Sequence, residues 1–120
     1  MPVRKGNVCV YYCNWIKAPH DKIALCICDT NYWVFWFNSA AAFHKIGQLP
    51  CDAPDHPAAL VKPCFLDLSS VKAMSQQEIA AAADRGPISD SFRAKILSAL
   101  SAPIARLSSS HKNLAIANLT

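Results

Sequence analysis

Three short runs in the first forty residues carry most of the chain's β-branched and aromatic side chains: 8–13 (VCVYYC), 23–28 (IALCIC) and 32–37 (YWVFWF). Runs of this length and composition predict strands. Asp29, Thr30 and Asn31 separate the second from the third. They suit a hairpin turn, because Asp and Asn bond to their own backbone and tolerate unusual backbone angles. Alternation along the third run sends Trp33, Phe35 and Phe37 to one face and Val34 with Trp36 to the other. Neither face is polar, so both have to be covered, as in a small barrel or by an added helix or a partner chain.

Residues 44–63 change character. Pro50, Pro54, Pro57 and Pro63 stand among Cys51, Asp52, Asp55 and His56, which predicts an irregular connection with a short edge strand at 48–51. A further strand candidate, 64–68 (CFLDL), runs on toward Val71. The second half then takes up helical signals. Ser75 and Glu78 have capping-box spacing, and Ile79 with the alanines at 80–83 propagates a short helix that Gly86 and Pro87 end. Ser89 and Asp90 open a second helix in which Phe92, Ile96, Ala99 and Leu100 share one face, Arg93 and Lys95 lie off it, and Pro103 stops it. The tail 104–120, with serines at 108–110 and then Leu114, Ile116 and Leu119, either docks or stays loose. Strands followed by helices predict an α+β protein: a small antiparallel barrel or curled sheet with helices in the C-terminal half, one domain over 1–103 and a tail over 104–120.

The chain has 120 residues, 52% of them apolar and 17% charged. That composition excludes intrinsic disorder and a multidomain layout. Twelve Lys and Arg against eight Asp and Glu give a net charge of +4. This favours an anionic partner, yet the basic residues form no run, and an ordinary solvated surface accounts for the same charge. No apolar run nears the roughly 18 residues of a membrane span, so no membrane partner is expected. The first seven residues start with positive charge but lead into no apolar segment of a secretory signal. A cytoplasmic, reducing location follows as the expectation, with Cys9, Cys13, Cys26, Cys28, Cys51 and Cys64 as thiols that fill the core.

Metal chemistry fits the spacing poorly. Cys26 and Cys28, Cys9 and Cys13, and the set His44, Cys51, Asp52 and His56 offer thiolates and imidazoles, but structural zinc sites use paired short knuckles, and none is present. No metal or other cofactor is expected. Cys51 and His56 share a loop and so form a candidate nucleophile and base, without a supporting motif. Three scattered glycines, Gly6, Gly47 and Gly86, build neither a P-loop nor a dinucleotide fingerprint. The segment 17–22 (KAPHDK) is different. It places Lys17, His20 and Lys22 beside Trp15 and Trp33, and cations beside exposed rings are what a single-stranded nucleic-acid site uses. A solvated hairpin loop with the tryptophans as core is the other reading of the same residues.

The order of these parts resembles the PemK/MazF-type toxins. Gly6 through Val10 is similar to that family's opening strand, 20–27 (HDKIALCI) to its basic loop entering an apolar second strand, and Phe37-Asn38-Ser39 to the close of its third strand. Leu49-Pro50-Cys51, the strand 64–71 and the 86–89 turn into a helix resemble its later elements. The resemblance implies an SH3-like barrel, a metal-independent endoribonuclease acting on single-stranded RNA, an antitoxin protein as partner and a homodimer. It also implies a catalytic group of His20, Lys22 and Ser39, while cations beside rings put Lys17, Trp15 and Trp33 on the RNA. The family's Arg-Pro before the second strand is absent, since no arginine stands between Arg4 and Arg85, and Lys22 or His20 would supply the cation. Lysine lacks the bidentate fork of arginine. With cleavage lost, the same barrel would serve as a protein-binding module or inhibitor.

Overall fold

A computed structural model describes residues 3–38, 47–52, 64–102 and 107–120. Ser39, His44, Asp55, His56, Pro54, Pro57, Pro63 and Pro103 lie outside the described residues.

The apolar runs form the centre of a sheet. β1 (Asn7–Cys13), β2 (His20–Cys28) and β3 (Trp33–Asn38) are sequential antiparallel neighbours. β2 begins three residues earlier than its apolar run, because His20, Asp21 and Lys22 pair with Cys13, Tyr12 and Tyr11. The turn between β2 and β3 spans four residues rather than three. Tyr32, not Asp29 or Asn31, takes the left-handed backbone, at φ 54°.

β4 (Gln48–Cys51) pairs with β5 (Cys64–Asp67), and β5 pairs with β3 at Phe37 and Asn38. As expected, β4 is an edge strand. Pro50 is tolerable there because a strand at the sheet edge needs no donor on its open side. β6 (Lys72–Ala73) lies along the same side of β3 as β5, at Trp33 and Val34, after three extra residues on the β5 to β6 side. Gly47 leads into β4 at φ +79°, and a Cβ there would meet the Ser69 backbone nitrogen at 3.0 Å. Only glycine fits that approach.

The helix expected to run from its Ser75 cap to a stop at Gly86 and Pro87 is shorter than its alanines suggest. α1 (Gln76–Ala81) carries the full capping box, with Ser75 Oγ accepting from Glu78 N and Glu78 Oε1 accepting from Ser75 N. Ala82 is already extended, and Ala83–Pro87 forms β7 against β1 instead. Pairing with an open strand edge overrides helix propensity here. β7 bulges at its Gly86 end, where φ is +91°. α2 (Asp90–Leu100) starts at its expected cap, Ser89. The tail forms α3 (Ser109–Leu119), which docks, with Ala115 and Leu119 buried.

The fold is thus α+β: a seven-stranded antiparallel sheet in the order β4-β5-β3-β2-β1-β7, with β6 beside β3, and three helices. Among the described residues the sheet is open, and no ladder joins β4 to β7. Both faces are covered, as the two-sided third strand requires. One carries Val8, Leu25, Ile27, Phe35, Phe37 and Leu66 under Phe92, Ile96 and Leu100 of α2 and Ala115 and Leu119 of α3. The other carries Cys9, Tyr11, Cys13, Ala24, Cys26 and Val34 with Met74, under Ile79 and Ala82 at α1. Each large side chain removed from water this way contributes roughly 1.5–3 kcal/mol. No helix among the described residues is long and apolar enough to cross a membrane.

Candidate nucleic-acid interface

The smaller apolar face frays, toward the start of β2, into a polar and aromatic patch. Strand alternation places His20 and Lys22 on the same side of β2 as Ala24 and Cys26. On the neighbouring strand Ala24 pairs with Trp36, which makes Lys22 the diagonal neighbour of Trp36 and within reach of its ring. The Lys22 ammonium lies 4.6 Å from the centre of that ring, and Lys72, brought in by β6, lies 5.0 Å from it. Two cations therefore share one indole. A cation over a ring face is attracted by its quadrupole.

Trp36 is fixed from below, donating from Nε1 to the Tyr11 hydroxyl at 2.7 Å. Trp15, in the connection between β1 and β2, lies against it with ring centroids 5.4 Å apart and a 34° tilt. Trp15 Nε1 donates to Glu78 Oε2 at 3.1 Å, so the glutamate that caps α1 also orients the outer ring. Trp15 is nevertheless 56% exposed, as is Tyr12. A tilted pair with one open ring offers a face on which a planar base can lie.

Lys22 is 8% exposed. Burial pushes its ammonium below the usual lysine range; Cys13 and Asp67 oppose that shift, and the charge of Lys72 adds to it. Lys22 Nζ donates to Asn38 Oδ1 at 3.2 Å, and Asn38 Nδ2 donates to Gln48 Oε1 at 3.3 Å. Gln48 Nε2 at the end of this chain is buried, with no hydrogen-bond partner among the described residues. Burial also holds the Tyr11 phenol protonated well above its ordinary range.

His20 is exposed at the start of β2, with Nδ1 2.6 Å from the Ala18 carbonyl oxygen. If Nδ1–H donates to that oxygen, Nε2 of the neutral ring keeps its lone pair and can accept a proton. His20 and Lys22 are therefore brought together, two residues apart on one face of one strand. Ser39 follows Asn38, the partner of Lys22, and lies outside the described residues. Lys17 is exposed in the same connection as Trp15.

Trp33 is not brought to this patch. It packs on the opposite face of the sheet, edge-on to His111 of α3 at 4.8 Å. The ring beside the cations is Trp36. Alternation along β3 separates the two tryptophans, and that signal was readable once Lys22 was set on a face. Lys72 carried none, since its place depends on the irregular pairing of β6 with β3. No group of three or more potential metal ligands exists among the described residues.

Comparison with protein-family models, with curated proteins and with solved structures finds no match to this chain.

Proposed function

We propose that the chain is an RNA-acting protein of the PemK/MazF type, which holds single-stranded RNA across the Trp15 and Trp36 rings and cleaves it without a metal ion. The observation that carries this reading is the tilted tryptophan pair with two lysine ammonium groups over its inner ring, and an exposed histidine two residues before Lys22 on β2. Rings take bases and cations take phosphates, with no need for a fixed sequence. Lys72 is the more open cation, suited to direct phosphate contact. Lys22, almost wholly buried, acts as a fixed positive charge beneath the surface.

In the cleavage step His20 Nε2 takes the proton of a ribose 2′-hydroxyl, the 2′-oxygen bonds to the adjacent phosphorus, and the bond from phosphorus to the 5′-oxygen breaks. The departing oxygen takes a proton from water. Lys22 offsets the charge that builds on the phosphoryl group. Ser39, by the resemblance, donates to a phosphoryl oxygen. The finer fold assignment, an SH3-like barrel, belongs to the same proposal; the interruption between β5 and β6 supports it, because such irregularities bend and twist a sheet. An antitoxin protein, a homodimer and a cytoplasmic location complete the reading.

Purified protein incubated with single-stranded RNA in EDTA tests it. Fragments ending in a 2′,3′-cyclic phosphate are expected. Intact RNA at high protein excess, with folding confirmed, overturns the cleavage step. The exposed Tyr12 and Trp15 side chains favour a second reading, a protein-binding module, because exposed aromatics anchor interfaces. A stoichiometric protein captured by the chain, with RNA left intact, selects that reading.

A further inference from the structure

Cys51 and Cys64 stand directly opposite each other where β4 meets β5. They are the only cysteines among the described residues in direct register. Cys9 faces Ala24, so Cys26 is its diagonal neighbour, at the roughly 7–8 Å of a diagonal pair, where a disulfide does not reach. The Cys51 and Cys64 thiols are in hydrogen-bond contact. Cys51 is buried and Cys64 partly open to solvent.

We propose that Cys51 and Cys64 form a reversible disulfide that fastens β4 to β5. The ladder supports the distance. Leu68 N donates to Gly47 O at 2.7 Å, which marks that pair as hydrogen-bonded, and alternation makes Cys51 and Cys64 a pair of the same kind. Such pairs have Cα atoms about 5.5 Å apart, inside the range a disulfide spans. Cys64 is partly open to solvent, and exposed disulfides are among those readily reduced.

The chemistry uses a low-molecular-weight disulfide as oxidant. Cys64, the accessible thiol, loses its proton and attacks one sulfur of the oxidant, forming a mixed disulfide and releasing one thiolate. Cys51 then loses its proton and attacks Cys64 Sγ, forming the protein disulfide and expelling the second thiolate. Two protein thiols are oxidised, and one small disulfide is reduced to two thiols. Burial pushes the Cys64 thiol up, opposed by its contact with Cys51, so the reaction accelerates with rising pH. The bond closes residues 52–63 at their base and clamps the strand that carries Gln48, whose Oε1 receives Asn38 beside Lys22. Nothing in it depends on the RNA reading.

The test treats the folded chain with glutathione disulfide at about pH 8, denatures it, counts thiols and cleaves before aspartates. Titratable thiols are expected to fall from six to four, with peptide 29–51 joined to peptide 55–66 and dithiothreitol restoring six. Cys64→Ser and Cys51→Ala, each with five thiols, are expected to yield no intramolecular link. Cys51 and Cys64 recovered as separate thiols, a stable mixed disulfide on Cys64, or a link between other cysteines each overturns the proposal.

Discussion

The Lys22 ammonium sits 4.6 Å from the centre of the Trp36 ring, on a side chain from which almost all solvent is excluded. In that setting the ring replaces part of the water the cation has lost, a contribution that reaches about 2 kcal/mol when the cation is desolvated. Trp36→Leu removes the ring, the contact to Tyr11 and the stacking partner of Trp15 together. Its affinity for single-stranded RNA is expected to drop by about 1–3 kcal/mol for each base that stacks there. Lys72→Ala separates charge from stacking. If Lys72 contacts one phosphate, the slope of log affinity against log salt, measured by fluorescence anisotropy, should become shallower by about 0.7. An unchanged slope would place the phosphates elsewhere.

His20 is the proton acceptor of the proposed cleavage and lies at the exposed start of β2, outside both apolar clusters. His20→Ala should therefore leave the thermal midpoint and RNA affinity close to those of the parent. The cleavage rate in EDTA should fall by about 10²–10⁴, the usual contribution of a general base. Single-turnover kinetics with binding measured in parallel checks this. A loss of affinity equal to the loss of rate would assign His20 to binding instead.

The strands of the first half were legible because apolar runs bounded by turn residues have few alternatives, and Ser75, Glu78 and Ser89 named two helix starts by hydrogen-bonding chemistry alone. β7 was not legible. Ala83 through Pro87 has no strand composition, and it is a strand because β1 has an open edge beside it. The docking of α3 was undecided for the same reason, since its apolar residues are sparse and the exposed face of β2 and α2 is what orders them. At the candidate site, local sequence put His20 and Lys22 together. The ring they serve, and Lys72, come from pairings distant in sequence.

Buried thiols and a buried phenol make the fold sensitive to alkali. Burial pushes the Cys9 and Cys26 thiols up to about 12 and the Tyr11 phenol above its ordinary value. Each of these groups ionises more easily in the unfolded chain. Their contribution is complete below the ordinary thiol range and is lost as pH rises from about 9 toward 12. Lys22 acts in the opposite direction. Its lowered value means that the cost of burying its charge is relieved as pH rises toward the ordinary lysine range. The raised thiols, Cys13 and Cys64 included, together with the phenol outweigh the one lysine, so urea midpoints should decline above pH 9. Cys26→Ala should flatten that decline, and an unchanged slope would dissociate it from the core thiols.

Asn118 of α3 donates from Nδ2 to the Ile27 carbonyl oxygen at 2.8 Å. Ile27 sits where β2 and β3 fall out of register, between Cys26 and Cys28. A bulged residue loses its ladder partner, so the helix supplies the bond that β3 does not. Next to it Leu119 is buried in the core under α2. Two substitutions distinguish the polar from the apolar part of this docking. Asn118→Ala should cost about 1–3 kcal/mol, the penalty for a buried acceptor left without a donor. Leu119→Ala should cost about 2–5 kcal/mol through lost burial and the cavity it leaves. Both are read from urea unfolding. Because α3 covers only the face opposite the Trp36 patch, neither variant should change RNA affinity while the chain remains folded. A loss of affinity without a loss of stability would mean that α3 reaches the RNA side.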